Sequence, residues 1–343
     1  MTTSSPPSSA VPEIAWAKRR RQVILALGLA MLLYMGLTLW SGWDKLWKAL
    51  SNFPVLTHLT AVLGLVMVGL MLRALRWEYY NRYLEWNVPA WPNLLVFLAS
   101  FAFTATPGKA GEVVKSFLLR SRYRVAITES ASVLMMERLQ DLLAVLVLAA
   151  GGLAMLASAR WYFILCTVIV FGVTVFLVSE TLHNLLIQLL HRWQRLQPIA
   201  EKLDNFFRVG RSLFRLKPFA IGLFLALLAW ACEAYALHLL FQGFQLKIPL
   251  LTSFFIYGMA TVIGALSMLP GGLGGFEASM LFLLSTLKVS NGVAVASTVL
   301  IRFCTLWAAS VLGMVFLGVW ELSYGKESPE SDTTETTKES EET

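Results

Sequence analysis

The sequence predicts an all-α polytopic membrane protein, with about six transmembrane helices and two oppositely oriented re-entrant hairpins forming an inverted repeat. Three observations carry this. Of 343 residues, 57% are hydrophobic and only 14% charged, which lies outside the composition of soluble domains. Apolar runs long enough to cross hydrocarbon recur along the chain, separated by basic clusters. Two further apolar stretches, the first of them too short to cross, are broken by Pro-Gly segments. A soluble enzyme is therefore excluded. The surplus of 28 Lys and Arg over 21 Asp and Glu is placed as orientation signals are placed, so nucleic acid is not expected as a partner.

Residues 1–22 are Ser/Pro-rich and end in Lys18-Arg19-Arg20-Arg21; they are expected to be disordered. Val23 to Trp40 follows, about one bilayer thickness at ~1.5 Å per residue. It exits through Trp40-Ser41-Gly42-Trp43-Asp44 without a small-x-small cleavage pattern, so a retained span is favoured over a signal peptide. A second span, Val55 to Leu75, ends among Arg73, Arg76, Trp77, Tyr79 and Tyr80, the composition of a helix leaving the membrane, where arginines snorkel. Asn93 to Thr106 is apolar but too short to cross. It meets Pro107-Gly108-Lys109-Ala110-Gly111-Glu112 and then a short helix, Val113 to Leu119, with a basic exit at Arg120, Arg122 and Arg124. Non-helical backbone at that depth requires protein or a wet cavity around it, which describes a re-entrant hairpin.

Spans are expected at Ile127 to Ala157 and Trp161 to Val178. Thr181 to Lys217 is a polar insertion with Leu and Phe at helical intervals among basic residues, read as one or two amphipathic helices at the cytoplasmic membrane surface. Phe219 to Phe241 is the next span. Leu250 to Leu269 then meets Pro270-Gly271-Gly272-Leu273-Gly274-Gly275-Phe276-Glu277 and a short arm to Leu287, a second hairpin. The last span is Val293 to Leu322. Residues 323–343 are Glu/Ser/Thr-rich and expected to be disordered. The membrane domain thus spans residues 23–322, with 181–217 as its insertion. With both termini cytoplasmic, the inner face collects 21 of the 28 basic residues, Arg73, Arg76 and Lys115 among them, and the outer face five. That is the positive-inside pattern of a plasma-membrane protein.

The two breaks share a P-G-x-x-G frame, each closely followed by a glutamate, Glu112 and Glu277. An arginine stands in the next long helix at matching distance, Arg138 and Arg302. Repeats of opposite orientation place their site where the two units meet, at broken helices. The candidate substrate-binding residues are accordingly Arg138, Arg302, Arg73, Arg76, Gly108, Lys109, Gly111, Glu112, Lys115, Gly271, Gly272, Gly274 and Glu277.

Glu137, Arg138 and Asp141 stand in an otherwise apolar helix. Each unpaired charge at depth costs roughly 2.5–3.5 kcal/mol. Glu137 and Asp141 share a face, which suits an arginine held by carboxylates, either as a register-locking pair or as a substrate or proton site. Arg302 has no carboxylate in its own helix, leaving Glu233 or Glu277 as its partner. Glu137, Asp141 and Glu233 are the candidate proton carriers or ion-pair members. The glycine breaks suit either an anion site or close packing at a hairpin tip, with Glu112 and Glu277 capping the following arms. Neither break carries a nucleotide-binding motif. Cys166, Cys232 and Cys304 read as small hydrophobes, and His58 and His238 have no second ligand at metal spacing, so no metal or cofactor is expected.

With P-G-K-A-G-E at 107–112, E-R-x-x-D at 137–141 and P-G-G-L-G-G-F-E at 270–277, residues 20–322 resemble the flippase-like integral membrane family of the lysylphosphatidylglycerol synthase transmembrane region. The resemblance implies movement of aminoacylated phosphatidylglycerol, isoprenoid-linked or related lipids between leaflets. Synthase members carry a cytoplasmic aminoacyl-transferase domain, which the polar stretch of residues 323–343 does not resemble, so synthase activity is not expected. A lipid flippase or transporter is therefore the leading expectation, downhill or proton-coupled, with a membrane lipid as partner. An intramembrane transferase on a lipid-linked donor, with Glu112, Glu137 or Asp141 as base, and a scaffold for a separate lipid-synthesising enzyme are the alternatives.

Overall fold

The computed structural model describes residue 36 and residues 43–51, 53–104, 113–153, 160–191 and 197–324. The expected first span, the first break at 105–112 and the acidic tail lie outside the described residues. Every regular element among the described residues is helical.

In chain order these are α1 (Trp43–Ser51), α2 (Val55–Tyr83), α3 (Ala90–Phe103), α4 (Val113–Tyr123), α5 (Ile127–Ala150), α6 (Arg160–Val178), α7 (Glu180–His191), α8 (Gln197–Leu213), α9 (Leu216–Gly243), α10 (Leu250–Leu266), α11 (Gly275–Thr286) and α12 (Asn291–Tyr324). Helices α2, α9 and α12 are long and apolar enough to cross a membrane; α3, α6 and α10 are shorter apolar helices. The span expected at Ile127 to Ala157 is helical to Ala150, but Glu129, Glu137, Arg138 and Asp141 interrupt its apolar character. The polar insertion folds as two helices, α7 and α8.

Helices α2 and α9 pack on each other along their length and form the spine of the molecule. Their approach is close because both backbones present small residues. A Cβ on Gly69 would stand 3.1 Å from the carbonyl oxygen of Ala229, the contact by which membrane helices gain dispersion energy when hydrophobic driving force is absent. Helix α5 packs on α9 and α10, α10 on α11, and α12 on α3.

The spine helices continue into connectors of the same design. Glu85 and Gln245 each take a positive φ, 55° and 58°, just past the helix end. Trp86 N donates to Asn81 O and Leu246 N to Phe241 O, closing both helix ends alike. Pro89 and Pro249 then start α3 and α10. Even the side-chain latches correspond. Asn93 Nδ2 donates to Glu78 Oε2 at 2.7 Å, and Ser253 Oγ lies 3.0 Å from His238 Nδ1. Further on, Arg124 and Lys288 stand at positive φ, 55° and 58°, before α5 and α12. Among the described residues, the order long helix, connector, short apolar helix, short helix and long helix therefore occurs twice.

Candidate functional site

The second break is held by side chains rather than by its own backbone alone. Gly271, Gly272 and Gly274 have φ of 58°, 68° and 87°, a region that disfavours residues with a Cβ. Gly274 N donates to Glu277 Oε2 at 2.7 Å, capping α11 as its sequence position suggests. The other oxygen of that carboxylate accepts from Arg302 Nε at 2.7 Å, and Arg302 Nη2 donates to Gly271 O at 2.7 Å. The guanidinium lies 4.6 Å from the Phe276 ring centre. Of the two candidate partners of Arg302, Glu277 is the one. In α12, a π-wound turn over Phe303–Trp307 begins directly after this arginine, the kind of insertion that re-aims a side chain from a helix.

Where the spine helices cross, Arg73 Nη1 donates to Glu233 Oε1 and Tyr257 Oη to Glu233 Oε2, both at 2.5 Å. The Arg73 guanidinium also stacks 4.5 Å from the Trp230 ring. Arg73 and Glu233 are 160 residues apart, the same interval that separates Glu85 from Gln245 and Pro89 from Pro249. They are thus equivalent positions of the two halves, and they touch each other. Tyr257 meets Phe276 edge-on at 5.9 Å, so the Glu233 site adjoins the second break.

One turn further along α2, Arg76 reaches the carboxylates of α5. Its Nη1 is 2.9 Å from Asp141 Oδ1 and its Nε 3.6 Å from Glu137 Oε1. These are ion pairs without hydrogen-bond alignment. Lys115 of α4 places Nζ 3.4 Å from Glu137 Oε2, over the faces of Trp77 at 4.4 Å and Phe97 at 4.5 Å. Arg138 Nη1 is 3.3 Å from Asp141 Oδ2.

This corrects two expectations. Arg73 and Arg76 do not snorkel to an interface, because the helix continues past them to Tyr83 and leaves Arg76 only 1% exposed. With Lys115, equally buried at 2%, they belong to the ionic core rather than to the topological charge of a loop. Glu137 turns to Arg76 and Lys115 instead of Arg138, which pairs with Asp141 and keeps about a third of its side chain exposed (31%). Gly108, Lys109, Gly111 and Glu112 lie outside the described residues.

Two groups of the cluster were missed in the sequence, Tyr257 and Trp230. The pairing of Arg73 with Glu233 was missed as well, although its signal was present. Once the connectors are aligned, an arginine and a glutamate fall at one repeat position. Burying such charges costs several kcal/mol per ion, which mutual attraction only partly offsets, so an ionic core of this size is poor evidence for stability alone.

A helical membrane protein with a charged core, linked to its second half by the Arg73–Glu233 pair, is the class that fold and cluster define. The chain belongs to the family described as the lysylphosphatidylglycerol synthase TM region, whose profile matches residues 23–313. It is similar to a UPF0104 membrane protein of Methanothermobacter thermautotrophicus, 25% identical over 87% of this chain and 94% of that protein. A UPF0104 membrane protein of Pyrococcus horikoshii is 22% identical over 87% and 96%. A third, from Methanocaldococcus jannaschii, is 22% identical over 66% and 97%.

Proposed function

We propose that this protein moves an anionic or lipid-linked headgroup between the leaflets of the plasma membrane. In this proposal six helices cross, with both termini cytoplasmic. The α3–α4 and α10–α11 arms form re-entrant hairpins from opposite faces, and the two halves are an inverted repeat. The observation that carries the proposal is the ionic core itself: Arg73, Arg76, Lys115, Glu137, Asp141 and Glu233 buried together among apolar helices.

A headgroup phosphate competes for guanidinium donors with two parallel hydrogen bonds, so it can replace a carboxylate at an arginine without leaving an unpaired charge. The hydrocarbon chains stay in lipid and incur little desolvation. Arg138, the most accessible cation of the cluster, takes the first contact. Arg302 and Glu277 hold the shape of the second break while the halves rock about the Arg73–Glu233 contact. Transport is downhill or proton-coupled, with Glu137, Asp141 and Glu233 as the groups through which a proton would act.

The test is leaflet exchange of fluorescent phosphatidylglycerol in vesicles containing only the pure protein. We expect exchange without chemical change of the lipid, and a loss of at least about tenfold in Arg138→Ala, equivalent to one charge-assisted contact of ~1.4 kcal/mol. Chemical conversion of a lipid-linked donor would support a transferase instead. Inert protein, inserted and folded, would support a scaffold.

A further inference from the structure

A second feature lies away from the ionic core, in the crevice between α5 and the amphipathic α8. It is a shallow, half-open crevice walled by Met135, Met136, Leu139, Phe206, Phe207 and Phe214. Its one polar side chain, Ser132, is already committed, since Ser132 Oγ lies 2.7 Å from Phe206 O and 2.8 Å from Thr128 O. Water entering here would find too few partners, so an apolar occupant is favoured.

Gly210 also lines the crevice, inside helix α8. Nothing lies within 4 Å of where its Cβ would stand, so no neighbour demands a glycine for close packing. A glycine within a helix costs about 1 kcal/mol relative to alanine. What it preserves here is the space.

The surroundings of the crevice are basic. From residue 197 to 217 the chain carries Lys202, Arg208, Arg211, Arg215 and Lys217 against Glu201 and Asp204. Arg211 follows Phe207 by four residues and precedes Phe214 by three, so it borders the same stripe of the helix. Its contact with Glu180 is long, 3.8 Å, and that carboxylate is 75% exposed.

We propose that this crevice is a lipid site that seats one hydrocarbon chain of an anionic phospholipid, with the headgroup held at Arg211 and its basic neighbours. Two-signal binding of this kind, a buried chain plus basic residues at an anionic surface, is what fixes an amphipathic element on a bilayer. The site does not depend on the transport proposal, and a protein inert in leaflet exchange would still bind lipid here.

The test uses the full-length protein in phosphatidylcholine nanodiscs doped with phosphatidylglycerol bearing a photoreactive diazirine on its acyl chain. Labelled peptides are mapped by mass spectrometry. Wild-type protein is expected to label at Met135 to Leu139 and Phe206 to Phe214 more strongly than at the exposed Val168 and Phe171 of α6, which report bulk lipid. Gly210→Leu fills the crevice while improving helix propensity, so the fold is retained. It should cut labelling at these two segments by about fivefold or more, the equivalent of one or two methylenes expelled from an apolar site. Gly210→Ala, which improves the helix without filling the space, should label like wild type. Arg211→Ala should abolish the preference for phosphatidylglycerol over a phosphatidylcholine probe. Labelling no stronger than at α6, or unchanged in Gly210→Leu, would overturn the site and point to a segment of this chain or a partner helix as its filler. Equal labelling by both headgroups in wild type would overturn the anionic assignment.

Discussion

At the scale of single residues, the chemistry rests on charges that no apolar environment tolerates alone. Glu137 is the clearest case, shared between Arg76 and Lys115 with 1% of its surface exposed. Glu137→Ala leaves two cations facing a vacated site, and it should lower stability by about 3–5 kcal/mol, the usual result of breaking a buried pair from one side. Thermal unfolding of the purified protein in one fixed detergent checks this. Some of this was legible in advance. Glu137, Arg138 and Asp141 stand out as charges within an apolar run, and the link of Arg302 to Glu277 was one of two possibilities that sequence left open. The partners of Glu137 were not legible, because Arg76 and Lys115 arrive from helices 61 and 22 residues away in the chain. Near a helix end, a buried arginine and a snorkelling one look alike in sequence.

At the scale of elements, packing decides what composition proposes. The α2–α9 crossing depends on a bare backbone at Gly69, where the Ala229 carbonyl is nearly in contact. Gly69→Leu should wedge the spine apart and destabilise by about 1–3 kcal/mol, as overpacking does. The same unfolding measurement reads this effect. It should also slow leaflet exchange, because the Arg73–Glu233 contact lies one turn further along the crossing.

The α7–α8 seam gives a pH dependence. His183 is buried against Phe207, with Nε2 3.5 Å from Asp204 Oδ1. Burial, with help from Arg211, holds its pKa below the ordinary 6.5, although Asp204 and Glu180 act in the other direction. A histidine depressed in the fold binds fewer protons there than in the unfolded chain. Its stabilisation is therefore intact above about pH 6.5 and falls away as the pH drops below that value. Amide exchange in α7 and α8 should accelerate between about pH 7 and pH 5, and His183→Gln should flatten the response. The two amphipathic helices were legible from their 3.6-residue periodicity. This histidine was not, because its burial depends on the packing of α8, which comes later in the chain.

At the scale of the whole molecule, the second half repeats the element order of the first, down to the left-handed residues that close its helices. Sequence pointed to a repeat through two Pro-Gly frames and the arginines beyond them, of which the first frame lies outside the described residues. The connectors, which carry the stronger correspondence, share almost no residue identity apart from a proline. Backbone geometry is retained there because an αL closure followed by proline fixes the direction of the next helix, whatever side chains surround it. Equivalent positions of the two halves meet at Arg73 and Glu233, and a charged contact between the halves is where a rocking motion would be resisted or released.

The central claim is that this ionic core is kept for transport and not for stability, and the double variant Arg73→Met/Glu233→Met tests it directly. Both charges go and comparable volume remains, so stability should be unchanged or raised, by up to about 4 kcal/mol. Exchange of phosphatidylglycerol between leaflets, measured on the same preparation, should fall to the rate of protein-free vesicles. A folded double variant that exchanges lipid at the wild-type rate would contradict the account.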